Sequence, residues 1–392
     1  MAKKRVLLSF SGGLDTSWCV LHLLEQGYEV STVTFDVGGV TDEDREEIRQ
    51  RAEDCGAQHH RWVDMRERLC DRFVVPLLQS GYRKNGNYPL CVGTERGLQA
   101  ERLGILAMEG NFDAVAHGCT AAGNDQVRFD VTLRTILPST VPILAPIRDL
   151  GPSREECAEQ LKQAGLSVDK KTTEYSINTS LWGTTLGGGV LHNPEEPIPY
   201  DIRYKVRPFE ETPKEAEEVA IAFHAGIPNS VNGDFLWLPE IIERLNRIGA
   251  DHGVGRDIHT GDTVLGIKGR VVFEAPGAFL LHRAHDELMR LTLGKRQLQF
   301  RVVLANTYGQ LMHEGLWLDP MMRDIESYLA HEQRRVNGVV TLRLYRGTVE
   351  LVRLVSGDSR MNDKIRYGEH GDGWVGRDTE GFARILALGI KT

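Results

Sequence analysis

The sequence predicts an α/β protein: an amino-terminal domain on a doubly wound parallel sheet, then an α+β domain and a carboxy-terminal tail. Up to about residue 116, short β-branched or apolar runs alternate with helical patterns, which is typical of a parallel sheet covered on both faces. After about residue 170 this alternation ends and Pro and Gly cluster. The 392 residues exceed one ordinary core, and 41% hydrophobic residues suffice to bury two.

The first domain alternates strands and helices in chain order. Gly27 and Gly56 follow two of the helices as stop signals. Strands are predicted at 5–10, 28–36, 61–63 and 112–116, and helices at 15–26, 42–54, 66–79 and 96–109. In such a sheet, ligands bind beyond the carboxyl ends of the strands.

The second part of the chain mixes strand-like and helix-like runs. Strands are predicted at Thr263–Ile267, Val271–Phe273 and Val339–Leu344, and helices at Leu238–Ile248 and Asp286–Thr292. Residues 357–381 are rich in Gly and Asp, which predicts an ordered but irregular segment. The predicted domains are therefore 1–168, 169–356 and a tail at 357–392.

Charge and composition exclude several classes of protein. The formal net charge of -8 argues against a protein that coats nucleic acid or an anionic membrane. No stretch approaches the ~18 apolar residues of a membrane span. The basic start resembles a signal peptide, but its apolar run stops at Ser11–Gly13, which favours a first strand and a cytoplasmic protein. None of the six cysteines forms a Cys-x-x-Cys pair, so we expect buried, reduced thiols.

The strongest motif is Ser11-Gly12-Gly13-Leu14-Asp15-Thr16-Ser17, between the first strand and the first helix. Glycines let the backbone turn with positive φ, and N–H groups at a helix start attract anions. The three hydroxyl side chains add donors, so the loop predicts a pyrophosphate cradle. It is neither a Walker loop nor Gly-x-Gly-x-x-Gly. The alternative is a tight strand-to-helix turn with an N-capping Ser.

A second loop, His117–Phe129, follows strand 112–116 and opens on the same sheet edge. Arg128 can grip a carboxylate through two hydrogen bonds. Asp125 can bind an ammonium or help remove its proton. The alternative is ordinary turn chemistry beside a surface ion pair.

Residues 11–17 resemble the PP-loop of the N-type ATP pyrophosphatases, and the form Leu-Asp-Thr-Ser is most similar to the argininosuccinate synthase family. His117–Phe129 resembles that family's His-Gly-x-Thr-x-x-Gly-Asn-Asp-Gln-Val-Arg-Phe loop. The segments at Tyr175-Ser176, Gly188–Leu191, His252–Arg256 and Gly381-Phe382 agree in order, so the resemblance runs from about Arg5 to about Leu388.

The resemblance implies a PP-loop (adenine nucleotide alpha-hydrolase-like) domain and an AMP-forming ligase that uses ATP and Mg²⁺. In that family the ureido oxygen of citrulline attacks the α-phosphorus, pyrophosphate leaves, and the amine of L-aspartate then displaces AMP. The tail at 357–392 is expected to build a homotetramer. By resemblance ATP is surrounded by Ser9, Phe10, Ser11, Gly12, Gly13, Asp15, Thr16, Ser17, Phe35, His117 and Gly118. Aspartate is held by Thr120, Asn124 and Asp125. The acceptor positions are Tyr88, Asn124, Arg128, Ser176, Thr185, Gly187, Gly261 and Phe273. The expected catalytic residues are Asp15, Asp125 and Arg128.

Several acceptor positions depart from the family pattern. Pro89–Gly93 replaces Leu-Leu-Gly-Thr-Ser, Gly187 and Gly261 stand where the family has Glu, and Phe273 replaces a Tyr. Our hypothesis is that ATP and aspartate are retained and that the acceptor, a ureido or carbonyl compound, is not citrulline. The alternative is authentic argininosuccinate synthesis, with the missing charge supplied by Asp257, Asp262 or Glu274.

The sequence is less compatible with two other functions. An RNA-modifying PP-loop enzyme needs a basic platform and often a Cys pair, which the sequence lacks. A catalytically inactive scaffold is disfavoured by the full PP-loop. His59-His60 and His282-x-x-His285 lack a third metal ligand at a natural spacing, so packing or solvated histidines are expected. The arginines at 343–366 alternate with acids, which favours a solvated surface or subunit contact.

Overall fold

The structure is a computed structural model that describes residues 3–168, 175–361, 367–369 and 371–390. Within these residues the chain forms three β-sheets with helices packed around them. Residues 169–174, at the predicted boundary between the first two domains, and Arg366 lie outside the described part.

The first sheet is parallel throughout, with strand order β3-β2-β1-β4-β5. Val6 and Leu8 of β1 pack into one core cluster, whereas Leu7 between them packs into another. Both faces are therefore covered, and the predicted doubly wound domain is confirmed. Its strands are β1 Arg5–Ser9, β2 Glu29–Asp36, β3 His59–Asp64, β4 Ala114–Ala116 and β5 Ile143–Leu144. Its helices are α1 Leu14–Glu25, α2 Asp42–Asp54, α3 Arg66–Leu69, α4 Val75–Ser80, α5 Glu95–Glu109, α6 Asp125–Ile136, α7 Pro146–Leu150 and α8 Arg154–Gln163, with a π-helical turn Cys70–Val74 joining α3 to α4.

The second sheet is antiparallel, with four strands in the order β11-β12-β7-β6. Its strands are β6 Tyr175–Ser180, β7 Gly183–Gly188, β11 Arg256–Asp262 and β12 Lys268–Glu274. The predicted strand at 263–267 is wrong, because these residues form the turn between β11 and β12. The amide of Thr263 donates to the carbonyl of Ile267 (2.8 Å), and Gly266 turns the chain. The predicted strand at 271–273 is confirmed as part of β12.

The third sheet is antiparallel, with strand order β10-β9-β8-β13-β14. Its strands are β8 Glu217–His224, β9 Ile227–Val231, β10 Asp234–Phe235, β13 Gly338–Tyr345 and β14 Thr348–Val355. The helices are α9 Leu238–Asp251, α10 Pro276–Thr292, α11 Lys295–His313 and α12 Pro320–Gln333. The predictions at 238–248 and 339–344 are confirmed, and 286–292 is the end of the longer α10.

The tail contains a helix that the sequence did not predict. Helix α13, Gly376–Leu388, begins inside the segment expected to be irregular, and the carboxylate of Asp378 accepts a hydrogen bond from the amide of Val375 (2.8 Å) at its start. None of its residues is buried. The described tail is therefore irregular only before residue 376.

The six cysteines are all free; five of them are buried, as expected, and Cys119 is half-buried. Among the described residues, no helix is both long enough and apolar enough to cross a membrane.

Candidate active site

The PP-loop lies at the carboxyl end of β1, and its hydroxyls hold it in shape. The Ser11 and Thr16 hydroxyl oxygens are 3.1 Å apart, and the Thr16 hydroxyl also donates to the carbonyl of Gly13 (3.3 Å). Gly12 has φ +75°, and a Cβ there would lie 2.8 Å from Cγ1 of Ile48 on α2. Within the described structure no side chain caps α1, so its first amides remain open to an anion.

Three of the predicted ATP residues turn their side chains away from this opening. Ser17 is buried, and its hydroxyl accepts a hydrogen bond from Nε of Arg51 (3.0 Å). The rings of Phe10 and Phe35 lie in the two cores on opposite faces of the sheet. Ser11, Gly12, Gly13 and Thr16 therefore form the accessible part of the loop, with Ser9 half-buried behind them.

His117 and Gly118 follow β4, the strand next to β1, and reach the PP-loop. A Cβ on Gly118 would lie 2.8 Å from Cγ2 of Thr16. The ring of His117 is buried: Nδ1 accepts from the amide of Cys119 (3.3 Å), and Nε2 donates to Asp130 on α6 (3.1 Å). His117 thus fixes the second loop beside the first, while its ring faces Asp130.

Asp125 is the first residue of α6, and its carboxylate forms ion pairs with two arginines. Its carboxylate is 2.9 Å from Nε of Arg96 and 3.1 Å from the Arg128 guanidinium. Burial alone would raise the pKa of Asp125, but the two guanidinium groups outweigh it and lower that pKa below the ordinary value. Arg128 is itself buried, and it also donates to the carbonyl of His313 (3.1 Å). The pair thus joins a buried Arg128 to a half-buried Asp125, and it is not the surface ion pair of the alternative interpretation.

Polar side chains connect this cluster to β6 and to the turn between β11 and β12. Arg96 donates to Oδ1 of Asn178 (2.9 Å), and Asn178 donates to the hydroxyl of Ser176 (3.3 Å). Oδ1 of Asn124 accepts from the amide of Val264 in the β11–β12 turn (2.7 Å). Thr120 lies exposed in the same loop. The predicted aspartate and acceptor residues thus lie next to each other.

The β-sheet register brings five predicted acceptor positions onto one face of the second sheet. Directly opposed residues share a face, and so do residues two apart along a strand. The pairs are Ser176 with Gly187, Thr185 with Asn178 and Phe273, Asp257 with Phe273, and Gly261 with Gly269. His259, two residues before Gly261, shares this face. Leu186 and Val272 lie on the opposite face and are buried.

Tyr88 covers this face from the first domain. Its ring stacks on His259 at 4.8 Å and contacts Phe273 at 5.2 Å between centroids. Its hydroxyl donates to the carbonyl of Cys91, within its own loop. The preceding residue pair Lys84 and Asn85 donates to carbonyls of β11. Residues 84–88 therefore form a clamp on β11, and we call them the clamp loop.

The two positions at which glycine replaces the family's Glu differ in the space around them. At Gly187 a Cβ would meet only Val271, at 3.9 Å. At Gly261 it would lie 2.6 Å from Nε2 of His259 and 3.1 Å from Nδ2 of Asn85. The imidazole of His259 and the amide of Asn85 thus occupy the space that a side chain at 261 would need.

The three acids that could replace the missing charge all have partners, and of the three only Asp257 shares the acceptor face. Glu274 is buried and accepts from the amides of three successive residues, 204 to 206. Asp257 accepts from Nδ2 of Asn87 (2.8 Å), and Asp262 pairs with Lys268 (2.7 Å). The pairing of β11 with β12 is continuous from 256 to 262 and contains no shift of register that would move one of these acids into place.

Sequence reasoning missed three residues of this site: Arg96, Lys84 and His259. Arg96 was predicted only as a helix start, because its partners lie 29 and 82 residues further along the chain. Lys84 and His259 come together only through the clamp loop. The dipeptide Asn85-Gly86, a tight-turn signal, was the one local pattern that could have indicated that loop.

Comparisons with known proteins agree with this architecture. Residues 5–167 match the arginosuccinate synthase N-terminal HUP domain, and residues 175–392 match the arginosuccinate synthase C-terminal domain. The chain is 38% identical to the argininosuccinate synthase of Xylella fastidiosa over 392 residues, which covers 99% of this chain and 96% of that protein. It is 37% identical to that of Hyperthermus butylicus, with 98% and 96% covered, and 36% identical to that of Methanothermobacter thermautotrophicus, with 93% and 90% covered. The chain therefore belongs to the argininosuccinate synthase family, and it is an ATP-dependent carbon–nitrogen ligase that forms AMP and pyrophosphate.

Proposed function

We propose that this chain activates the carbonyl or ureido oxygen of an acceptor other than citrulline with ATP and joins the activated carbon to the amine of L-aspartate. The proposed ATP site is the loop 9–17 with His117 and Gly118. Open amides at the start of α1 and the hydroxyls of Ser11 and Thr16 would bind the leaving pyrophosphate. Domain 1–168 would then supply the ATP site, and both domains, 1–168 and 169–356, would line the acceptor site.

Magnesium fits this loop as a partner of the nucleotide. Mg²⁺ keeps several waters and takes phosphate oxygens with one or two carboxylates. Asp15 stands half-buried in the first turn of α1; burial raises its pKa and the charge of Arg154 opposes the rise. Among the described residues no group of three or more His, Cys, Asp or Glu side chains forms a metal site. The ion would therefore arrive with ATP, held by phosphate oxygens and Asp15, and would neutralise phosphate charge.

Aspartate would be held by Thr120, Asn124 and Asp125. Because the pKa of Asp125 is lowered, its carboxylate is a weak base, so we assign it the binding of the aspartate ammonium. Arg96 and Arg128 keep it ionised. Of the two roles that the sequence left open for Asp125, we therefore keep ammonium binding and drop the removal of its proton.

The acceptor assignment depends on one observation: Gly187 and Gly261 share the acceptor face, Asp262 and Glu274 lie on the opposite face with partners of their own, and Asp257 is held by Asn87 of the clamp loop. A hydrogen bond to a charged group contributes roughly 1.5–3 kcal/mol. Losing two such bonds would weaken citrulline roughly a hundred- to ten-thousand-fold.

The alternative is authentic argininosuccinate synthesis from citrulline, which is the activity that the relatives' names carry. An RNA-modifying role is disfavoured, because the match to the argininosuccinate synthase family extends through the second domain.

The test is an assay of radiolabelled aspartate with ATP and a panel of ureas, amides and acids, following AMP and pyrophosphate. Because two hydrogen bonds to a charged group are missing, we expect citrulline to show a kcat/KM at least about a hundredfold below that of the best acceptor. Equal turnover of citrulline at millimolar concentration would establish the alternative. Asp125→Ala should abolish aspartate transfer while sparing ATP binding, and Asp54→Ala, on the exposed face of α2, is the control.

We also propose that the tail binds a second copy of this chain. Phe382, Ile385 and Leu386 lie on one stripe of α13 and are 66%, 71% and 59% exposed. An apolar stripe of this kind on a helix that contacts no core is typical of an interface. The family resemblance points to a homotetramer.

A further inference from the structure

We propose that the acceptor carries a carboxylate or other acid group, and no ammonium, at the part of the site formed by Lys84 and His259. This inference rests on the proposed function and deepens it, because it gives the chemical class of the acceptor.

Lys84 is a buried cation at the edge of the acceptor face. Its side chain is 8% exposed, and its ammonium donates to the carbonyl of Asp262 (3.1 Å), a neutral oxygen. A lysine ammonium has three donors. In the described part of the chain no carboxylate forms an ion pair with it, since the nearby Asp262 carboxylate pairs with Lys268. Burying a charge is costly unless it is paired, so an acidic ligand group would complete this site.

His259 lies on the acceptor face between Tyr88 and Gly261. It is 8% exposed, and its Nδ1 has no hydrogen-bond partner among the described residues. Its Nε2 occupies the space beside Gly261, where the family pattern has a carboxylate. Burial and the charge of Lys84 lower the pKa of His259, so its neutral ring offers one N–H to an acid group.

The surrounding charges favour the same ligand. Arg96 and Arg128 pair directly with one carboxylate, that of Asp125, and the buried Glu95 beside Arg96 accepts from the hydroxyl of Ser180 and the amide of Val92. Glu314, the other acid near Lys84, accepts from the side-chain amide of Gln310. Asp257, the acid on this face, accepts hydrogen bonds from Asn87 and from the amide of Ile258. Beside Lys84 an ammonium would meet a cation, whereas an acid group would meet the unfilled donors of Lys84 and His259.

The test compares ω-ureido acids with ω-ureido amines of equal chain length. Direct binding to the full-length protein is measured by calorimetry with ATP present, and AMP formation is measured with aspartate. We expect the acids to bind about ten- to a hundredfold more tightly than the matched amines. Lys84→Met should remove most of that preference, Lys84→Arg should retain it, and Lys162→Met, on the exposed surface of α8, is the control.

Each outcome separates this inference from the proposed function. If citrulline is a good substrate but acids still exceed amines in a Lys84-dependent manner, the inference stands and the altered acceptor fails. If acids bind more tightly than amines in a Lys84-dependent manner but no AMP forms, the inference stands. Only the proposal that such a compound is the acceptor activated by ATP then fails. Equal or tighter binding of the amines, binding of neither class, or a preference unchanged in both Lys84→Met and His259→Leu would overturn the inference.

Discussion

Gly12 is the residue on which the shape of the PP-loop depends. An alanine there adopts a left-handed backbone, at about 1–2 kcal/mol, and pushes its Cβ to 2.8 Å from Ile48. Gly12→Ala should raise the KM for ATP about tenfold or more in a pyrophosphate-exchange assay. Gly27→Ala is the matched control, because φ is +83° there and no atom lies within 4 Å of the new Cβ. An unchanged KM in Gly12→Ala would contradict the assigned nucleotide site.

Gly261 and His259 form a pair whose exchange should move the acceptor preference. Gly261→Glu alone places Cβ 2.6 Å from the His259 ring, and overpacking of this kind costs about 1–3 kcal/mol. With His259→Ala added, the carboxylate has room. We expect kcat/KM for citrulline to increase about tenfold or more in the double variant. If the double variant gains nothing over the native chain, residue 261 does not control acceptor choice.

At the scale of elements, Asp130 joins α6 to the end of β4 and to α7. It accepts from His117 (3.1 Å) and pairs with Arg148 (3.0 Å). Although burial opposes the change, these partners lower its pKa from 3.8 to about 2. A depressed folded-state pKa stabilises the protein above the unfolded value, and this contribution is lost as the pH falls from about 3.8 towards about 2.

Asp130→Asn should therefore reduce the free energy of unfolding by about 2 kcal/mol near pH 6, and the difference from the native chain should shrink below pH 4. Urea unfolding at several pH values measures it. Asp149→Asn, an exposed partner of the same Arg148, should cost under about 1 kcal/mol. A deficit in Asp130→Asn that is constant with pH would show that the ion pairs are not its cause.

Elements defined by local pattern could be predicted from the sequence, whereas contacts between distant elements could not. The parallel sheet and the PP-loop could be predicted because buried strands and a strand–turn–helix motif are each encoded by consecutive residues. The turn at 263–267 has strand-like residues, and only its hydrogen bonds show that the chain reverses there. Helix α13 begins with Gly376 and Asp378, which read as loop residues. The pairing of Arg96 with Asp125 and the stacking of Tyr88 on His259 need the assembled fold.

At the scale of the whole molecule, the exposed stripe of α13 predicts a dependence of assembly on the tail. Removal of residues 376–392 should reduce the mass in light scattering towards the 43.9 kDa of one chain, and Phe382→Glu with Ile385→Glu should do the same. Phe235→Glu, at an 81% exposed residue of β10, is the control. An unchanged mass after truncation, or a native chain that is already a monomer, would contradict the proposed interface.

The two faces of the second sheet have different roles. Leu186 and Val272 secure the packing on one side, and Thr185 and Phe273, their immediate chain neighbours, line the other. Because neighbouring side chains of a strand point in opposite directions, a substitution that reshapes the ligand surface removes no apolar contact from the packed one. At an open position such as Gly187, where a new Cβ would meet only Val271 at 3.9 Å, the ligand surface can therefore change while the packing of Leu186 and Val272 is kept.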